Sequence, residues 1–240
     1  MNGDQPDLFT EQQAVNGDAG IVKDLDKLFE LSVQAYYAVM NALMDDTLDK
    51  TKLQKYTLKI LNTVRIFETR ASAGPCAKKD SPDFQLAVRA AADSAAADRG
   101  DPLVREVLGS AYRVGREIHR LIGLLRFNPG RNGIWIARCA PDNSVLPAFA
   151  EYFTRRFCED PWAIIDEKRG LALVRSTGRE PCMGPLSVFP FLADINCPKD
   201  EWEDLWRDYH RTVCISNRKN PVLQLQLMPR RYWKYLPEIN

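Results

Sequence analysis

The sequence contains no apolar run that approaches the roughly 20 residues needed for a helix to span a bilayer. Its first residues include Asp4, Asp7 and Glu11, and they have neither the basic nor the apolar region of a secretory signal peptide. These absences argue against a membrane-spanning or exported protein. We therefore expect a cytoplasmic protein without a membrane partner.

Closely spaced cysteines are also missing. None of the six cysteines forms a CxxC pair, and the nearest two, Cys182 and Cys197, are fifteen positions apart. Structural zinc sites and iron–sulfur clusters normally use closely spaced ligands, so the sequence predicts neither a metal site nor another cofactor. Because a cytoplasmic protein is kept reduced, we expect buried thiols rather than disulfides.

Phosphate-binding loops and catalytic triads are absent as well. The sequence has no GxxxxGK[ST] and no GxGxxG after a strand, so nucleotide hydrolysis and dinucleotide binding find no support. The two histidines, His119 and His210, give no defensible Ser/His/Asp or Cys/His arrangement. His119 lies on the flank of a predicted helix, which favours a packing residue over a general base or anion ligand.

Lysine is scarce in the second part of the chain, where arginine replaces it. Residues 101–240 contain 17 Arg and 4 Lys, whereas residues 1–100 contain 4 Arg and 8 Lys. The planar guanidinium group binds phosphate or carboxylate in two places and stacks on aromatic rings. Because the whole chain has a formal net charge of only +1, any basic surface must be local. The later part is therefore predicted to bind anions.

Apolar periodicity predicts helices in the first half of the chain. Residues 1–20 are polar and are predicted to form a disordered tail. Helical spacing of apolar residues follows, and Gly and Pro punctuate it. On the last of these helices, Arg116 and Arg120 are like charges four positions apart, an arrangement that an anion or a carboxylate between them would relieve. The predicted helices span residues 24–43, 48–67, 82–97 and 102–125.

Beyond Asn128 the pattern becomes mixed. Strands are predicted over residues 133–139, 162–166, 171–174 and 184–189, and helices over 146–157 and 201–215. The sequence thus predicts an α+β fold, with a helical N-terminal part packed with a small mixed β-sheet and C-terminal helices. We expect one domain over residues 21–240, made of a helical subdomain, 21–100, and an arginine-rich part, 101–240.

The C-terminal segment Met228–Glu238, MPRRYWKYLPE, interleaves cations with aromatic rings. Nucleic-acid-binding proteins use this mixture, because cations contact phosphate and rings stack on bases or guanidinium groups. Aromatic tails also cover apolar cores, with one polar edge in water. Both interpretations are compatible if the rings point inward and the cations outward.

Pro141-Asp142 and, after 23 intervening residues, Asp166-Glu167-Lys168 resemble the PD…(D/E)xK signature of metal-dependent nucleases. In that signature two carboxylates hold Mg²⁺ and the lysine lies beside the attacked phosphate. The two halves lie on adjacent strands in those nucleases, whereas here the helix 146–157 intervenes. A salt bridge at the end of a hairpin, with Arg169, is therefore the simpler interpretation. The weak catalytic candidates are His119, Asp142, Asp166 and Lys168.

Four segments occur in a fixed order: EIHRLIGLLRF at 117–127, LPAFAEYFTRRF at 146–157, PWAIIDEKRGLAL at 161–173 and NPVLQLQLMPRRYWKYLPE at 220–238. Together they resemble a bacterial family of probable DNA metabolism proteins, a domain of unknown function. The similarity extends over about residues 21–240 and is strongest after residue 110. Four ordered motifs make this resemblance more specific than any one of them alone.

The resemblance implies a DNA context. Members of that family are encoded beside a radical SAM protein thought to act on DNA, or are fused to a uracil-DNA glycosylase. This chain resembles the free-standing form. It contains neither glycosylase sequence nor the CxxxCxxC motif of a radical SAM cluster, so such chemistry would belong to a partner.

We therefore expect a noncatalytic nucleic-acid-binding or adaptor protein that acts in DNA metabolism or repair and presents DNA to its partner. The alternatives are a metal-dependent nuclease that uses Asp142, Asp166 and Lys168, and a protein-interaction partner without nucleic acid. The leading hypothesis requires distant arginines to converge on one surface rather than to pair with nearby carboxylates. The candidate nucleic-acid-binding residues are Arg116, His119, Arg120, Arg126, Arg155, Arg156, Lys168, Arg169, Arg230, Arg231, Tyr232, Trp233 and Lys234.

Overall fold

The computed structural model describes residues 19–72, 81–130, 133–192 and 201–239. The expected tail over residues 1–20 lies outside these ranges, apart from its last two residues, which begin the first helix. The chain forms two compact units with a boundary between Arg116 and Glu117, and each unit is described by itself. Within the described ranges, no helix is both long and apolar enough to cross a membrane.

The first unit is helical. The single helix predicted over 24–43 is wrong, because Ser32 adopts an extended conformation and its hydroxyl accepts a hydrogen bond from the Ala35 amide at 3.1 Å, which starts a new helix. The other predicted helices are confirmed. The helices are α1 (Ala19–Leu31), α2 (Val33–Leu43), α3 (Lys50–Ser72), α4 (Pro82–Ala97) and α5 (Pro102–Leu124), the last of which continues into the second unit.

A buried carboxylate organises part of the first unit. Asp45, only 2% exposed, accepts hydrogen bonds from the hydroxyls of Ser110 at 2.5 Å and Thr47 at 2.7 Å. The Arg113 guanidinium lies 3.0 Å from the same carboxylate. Burial alone would raise the pKa of Asp45, but these hydrogen bonds lower it to about 2. Asp45 therefore remains ionised while it links the α2–α3 loop to α5.

The second unit contains a five-stranded sheet with the order β1-β2-β3-β4-β5. Strands β2 and β3 are parallel, and the other neighbouring pairs are antiparallel. A 3-10 turn, Leu146–Phe149, and helix α6 (Ala150–Phe157) connect β2 to β3, so the predicted strand, helix, strand crossover is confirmed. The strands are β1 (Phe127–Pro129), β2 (Trp135–Cys139), β3 (Trp162–Asp166), β4 (Leu171–Arg175) and β5 (Cys182–Pro185).

Both faces of this sheet are covered, since every residue of β3 is buried. On one face, Ile136, Ala163 and Ile165 pack in a cluster with Leu192. On the other face, the Trp162 ring lies 6.1 Å from the Phe153 ring of α6. The α+β class predicted from the sequence is confirmed. The strand predicted over 184–189 is instead β5 followed by a 3-10 turn, Leu186–Val188.

The C-terminal region consists of α7 (Glu201–Val213), α8 (Pro221–Leu227) and a 3-10 helix, Arg230–Tyr235. The side chain of Asn220 accepts a hydrogen bond from the Leu223 amide at 3.0 Å and so caps α8. Large apolar side chains of α7, α8 and the segment between them remain exposed. These side chains are Leu205, Trp206, Tyr209, Val213, Ile215, Val222, Leu223, Leu225 and Leu227.

Candidate nucleic-acid interface

A buried glutamate connects three segments that are distant in the sequence. The Glu117 carboxylate accepts hydrogen bonds from the backbone amides of Asp142 at 2.7 Å and Asn143 at 3.1 Å. It also accepts from the Asn143 side-chain amide at 2.6 Å and from the Tyr232 hydroxyl at 2.8 Å. Four donors therefore compensate a carboxylate that is only 3% exposed. This network fixes the loop after β2 and the C-terminal 3-10 helix to α5.

The same network removes Tyr232 from the surface. Its ring is 1% exposed, so Tyr232 cannot stack on a base in this conformation, and of the two interpretations of the C-terminal rings it fits the packing one. Burial, together with the hydrogen bond to Glu117, raises the pKa of Tyr232. Arg231 lies over the Tyr232 ring at 4.8 Å and pairs with the Asp142 carboxylate at 2.7 Å. For Tyr232, the structure supports a packing role.

Asp166 closes the tight turn between β3 and β4. One carboxylate oxygen accepts hydrogen bonds from the backbone amides of Lys168 at 3.0 Å and Arg169 at 3.2 Å. The other accepts from the Arg169 guanidinium at 2.7 Å. The Arg169 guanidinium also donates to the Pro141 carbonyl at 3.2 Å, and the Lys168 ammonium donates to the Asp142 carbonyl at 2.8 Å. These contacts fit the hairpin interpretation.

One observation supports the nuclease hypothesis, and another argues against it. The expectation that the intervening helix separates the two halves of the signature is wrong, because β2 and β3 are adjacent parallel strands. Asp166 is the last residue of β3, and Asp142 follows the end of β2. However, Asp166 is fully buried and its oxygens are occupied, while Asp142 pairs with Arg231. Among residues 19–72, 81–130, 133–192 and 201–239, no group of three or more His, Cys, Asp or Glu side chains could hold a metal ion.

Glu167, the residue after Asp166, forms ion pairs with two further cations. Its carboxylate lies 3.3 Å from Arg138 and 2.9 Å from Lys234, and it accepts a hydrogen bond from the Tyr235 hydroxyl at 2.7 Å. Burial would raise the pKa of Glu167, but the hydrogen bonds from Tyr235, Lys234 and Arg138 lower it. Arg138 and Lys234 therefore share one carboxylate partner within the protein, which offsets one of their two positive charges.

A small cavity of about 210 Å³ lies beside this cluster. Its cations also have carboxylate partners: Arg126 lies 2.6 Å from Glu238, and Arg207 pairs with Glu203. We interpret this cavity as part of an internal ion-pair cluster that joins α7 and the C-terminus to β2. Its lining consists of Arg126, Asn128, Ile136, Arg138, Glu203, Arg207, Lys234, Tyr235 and Pro237.

The candidate cations thus divide into two groups. Most are bonded to acidic side chains or carbonyls, which supports a structural role and leaves a nucleic-acid role as a prediction. This bonded group comprises Arg126, Arg155, Lys168, Arg169, Arg231 and Lys234. Within the part of the chain that the structure describes, Arg116, Arg120, Arg156 and Arg230 make no ion pair.

The second group is spread over both units. Arg116 is exposed in the first unit, with its guanidinium 5.8 Å from the Tyr112 ring centre. In the second unit, the Arg230 guanidinium lies 5.7 Å from the centre of the half-buried Trp233 ring. His119 is exposed and makes no hydrogen bond to any described residue. Of the four arginines in this second group, Arg156 is the one that lines a cavity described here.

A second, larger pocket of about 490 Å³ combines aromatic rings with arginine, and we call it the aromatic pocket. Arg156 of helix α6 lines this pocket, as does Arg126, which follows the end of α5. Arg126 donates to the Gly123 carbonyl at 3.0 Å as well as to Glu238, so Arg156 is the more available cation. The lining consists of Ile122, Gly123, Leu125, Arg126, Phe127, Trp135, Tyr152, Phe153, Arg156 and Phe157.

Three elements supply the stacked and packed rings of the aromatic pocket, and the end of α5 with the residues after it supplies more of the lining. β1 and β2 pair antiparallel and contribute Phe127 and Trp135, while α6 contributes Phe153 and Phe157, four positions apart on one face. The Phe127 ring lies 4.7 Å from Phe157 and 5.0 Å from Phe153. The Trp135 and Phe157 rings are stacked, with centres 6.4 Å apart. Rings at these distances support one another and form a continuous apolar surface.

The sequence predicted Arg126 and Arg156 of this pocket as binding residues, but it did not indicate the aromatic rings that line it. Phe153, Arg156 and Phe157 belong to a segment that indicated the family resemblance, and their three- and four-residue spacing is visible in the sequence. Phe127 and Trp135 come from strands whose pairing brings them to α6, and no local pattern predicts that meeting. The spacing on α6 was the one available signal.

Comparison with known proteins gives a family but no relative of known activity. A family model, DUF4130, described as a domain of unknown function, matches residues 84–238 of the chain. No curated protein and no solved structure matches it. The matched range includes the aromatic pocket, the Glu117 network and the Asp166 turn.

Proposed function

The chain belongs to the DUF4130 family, a domain of unknown function, and we propose that it is a noncatalytic nucleic-acid-binding or adaptor protein in DNA metabolism or repair. The aromatic pocket carries this proposal. It combines a concave apolar surface with the exposed Arg156, and its volume is in the range of small-ligand sites. Nucleic-acid-binding surfaces that tolerate many sequences use such rings for stacking and cations for phosphate.

The first test is direct binding of fluorescent oligonucleotides as a function of salt. Few cations are available, so we expect two or three phosphate contacts and a slope of log K against log salt of roughly −2. This is shallower than the slope of roughly −4 that five phosphate contacts would give. Anisotropy titrations of single-stranded and duplex DNA and RNA, from low to physiological salt, measure both affinity and slope. Absence of binding to all of them at low salt would overturn the proposal.

A metal-dependent nuclease remains the alternative for Asp142, Asp166 and Lys168. The position of both carboxylates at neighbouring strand ends is the observation in its favour. Incubation of nicked, linear and single-stranded substrates with Mg²⁺ or Mn²⁺ tests it. Cleavage that is lost in Asp142→Asn, which changes an exposed side chain, would support this function, and cleavage that is unchanged in Asp166→Ala would exclude the site.

The exposed apolar side chains of α7 and α8 favour a second candidate function, docking to a partner protein. Exposed Leu, Val and Trp side chains in two consecutive helices are unusual on a soluble monomer. From the family resemblance, we propose a radical SAM protein or a glycosylase as this partner. Copurification with such a protein, with and without nuclease treatment, separates direct contact from bridging by DNA. Loss of the complex in Leu223→Lys, but not in Lys219→Glu, would place the contact on α8.

A further inference from the structure

The aromatic pocket has an apolar interior and a polar edge. Phe153 and Leu125 are buried in its interior, at 2% and 8% exposure. Tyr152, Gly123 and Arg156 are exposed at its edge. A β-carbon added to Gly123 would meet no atom within 4 Å, so the pocket is open on that side.

This distribution of polarity determines which part of a nucleotide can enter. A phosphate in the interior would lose its hydration without gaining a cation or a row of donors, which is strongly unfavourable. A base is flat and largely apolar on its faces, so it can pack against the part of the Trp135–Phe157 stack that remains exposed while the phosphate stays at the edge beside Arg156. The interior is therefore suited to a base and the edge to the backbone.

A base within a duplex cannot use this pocket, since both of its faces are covered by neighbouring bases. Apart from the outer face of a terminal base pair, only an unpaired base, in a single strand or displaced from a helix, exposes a face for stacking. We infer that the aromatic pocket binds one unpaired base of a nucleic-acid strand, with Arg156 on the adjoining phosphate. This inference rests on the proposed function and adds a preference for unpaired nucleotides.

The lining also predicts little discrimination among the four bases. Five of its ten lining residues have hydrocarbon side chains, and its directed polar groups are the Tyr152 hydroxyl, the Trp135 indole N–H and two guanidinium groups. Selective reading of a base needs a set of directed donors and acceptors, whereas stacking is available to every base. We expect the affinities for dA, dC, dG and dT oligonucleotides of equal length to agree within about tenfold.

The test compares three DNA ligands of equal length: a single strand, a blunt duplex, and a duplex with one bulged nucleotide. We expect the single strand and the bulged duplex to bind at least about tenfold more tightly than the blunt duplex. Phe157→Leu keeps an apolar side chain but removes the ring, and it is expected to weaken single-strand binding by about five- to tenfold. Affinity for the blunt duplex should remain unchanged.

Phe191→Leu is the matched control, because Phe191 is an exposed ring that does not line the aromatic pocket. If Phe157→Leu unfolds the protein, Tyr152→Leu replaces it, since Tyr152 is 43% exposed at the edge. Equal binding of blunt duplex and single strand, or unchanged single-strand affinity in the pocket variant, would overturn the inference while nucleic-acid binding itself stands. If the aromatic pocket instead binds an apolar side chain of a partner protein, the pocket variant would leave the single-strand affinity unchanged. The proposed function fails only if none of the ligands binds.

Discussion

At the scale of single residues, the chemistry of each side chain in the second unit depends on what lies beside it. Tyr232 and Tyr152 are both tyrosines within family motifs, yet one is 1% exposed and the other 43%. Arg155 pairs with Glu151 on its own helix, whereas its neighbour Arg156 has no ion pair within the described residues. The position of each cation and each ring in the fold therefore indicates more about nucleic-acid binding than the number of cations and rings in the sequence.

The buried hydrogen bond of Tyr232 predicts a clear stability effect. Tyr232→Phe leaves the ring in place but removes one of four donors to Glu117, so we expect a loss of about 1–2 kcal/mol in the free energy of unfolding. Tyr235→Phe is the control, because its hydroxyl donates to Glu167 at an exposed position and should cost less than about 0.5 kcal/mol. Urea denaturation measures both. Equal losses would contradict the role assigned to the Glu117 network.

Asp45 predicts a pH dependence of stability in the first unit. Its pKa falls from the ordinary 3.8 to about 2 on folding, so its ionised form stabilises the native state. That contribution is complete above about pH 4 and is lost as the pH falls toward 2. The stability of Asp45→Asn should consequently change less than that of the wild type over this range. Urea midpoints at pH 7, 4 and 2.5 test this, with the exposed Asp26→Asn as control, which should follow the wild type.

At the scale of elements, prediction succeeded where a local pattern is complete. β3 was predicted with its observed bounds, because five consecutive residues suited to a fully buried strand precede a turn. The break at Ser32 was missed since apolar spacing continues through it, although Ser is a favoured helix cap. β1 was missed because Phe127–Pro129 has no strand pattern of its own and is held by pairing with β2.

Alanine substitutions at two glycines test the backbone conformation of helix α5 and of the β3–β4 turn. Gly109 lies inside α5 and an added β-carbon would meet only Arg113 at 3.8 Å, so Gly109→Ala should stabilise the protein by about 0.5–1 kcal/mol. Gly170 has φ +64° in the β3–β4 turn, and Gly170→Ala should destabilise by about 1 kcal/mol. Thermal and urea unfolding measure both. Opposite signs are expected, and a common sign would contradict the turn or the helix as described.

At the scale of the whole molecule, the fold class followed from the sequence but the candidate site did not. The cations were visible as residue types, whereas their carboxylate partners lie far along the chain, as in the pair of Arg126 with Glu238, 112 positions away. The rings of the aromatic pocket meet only through strand pairing and the crossover to α6. Long-range contacts of this kind have no local signature, which is why the sequence showed the residue types of the site but not the residues beside them.

The most direct test of the account compares Arg156→Ala with Arg155→Ala in binding a single-stranded oligonucleotide at one low salt concentration. The two variants remove the same charge from adjacent positions of α6, but only Arg156 lines the aromatic pocket. We predict that Arg156→Ala weakens binding by about tenfold, or roughly 1.4 kcal/mol, and Arg155→Ala by less than about twofold. Equal effects of the two variants, or no effect of Arg156→Ala, would contradict nucleic-acid binding at this pocket.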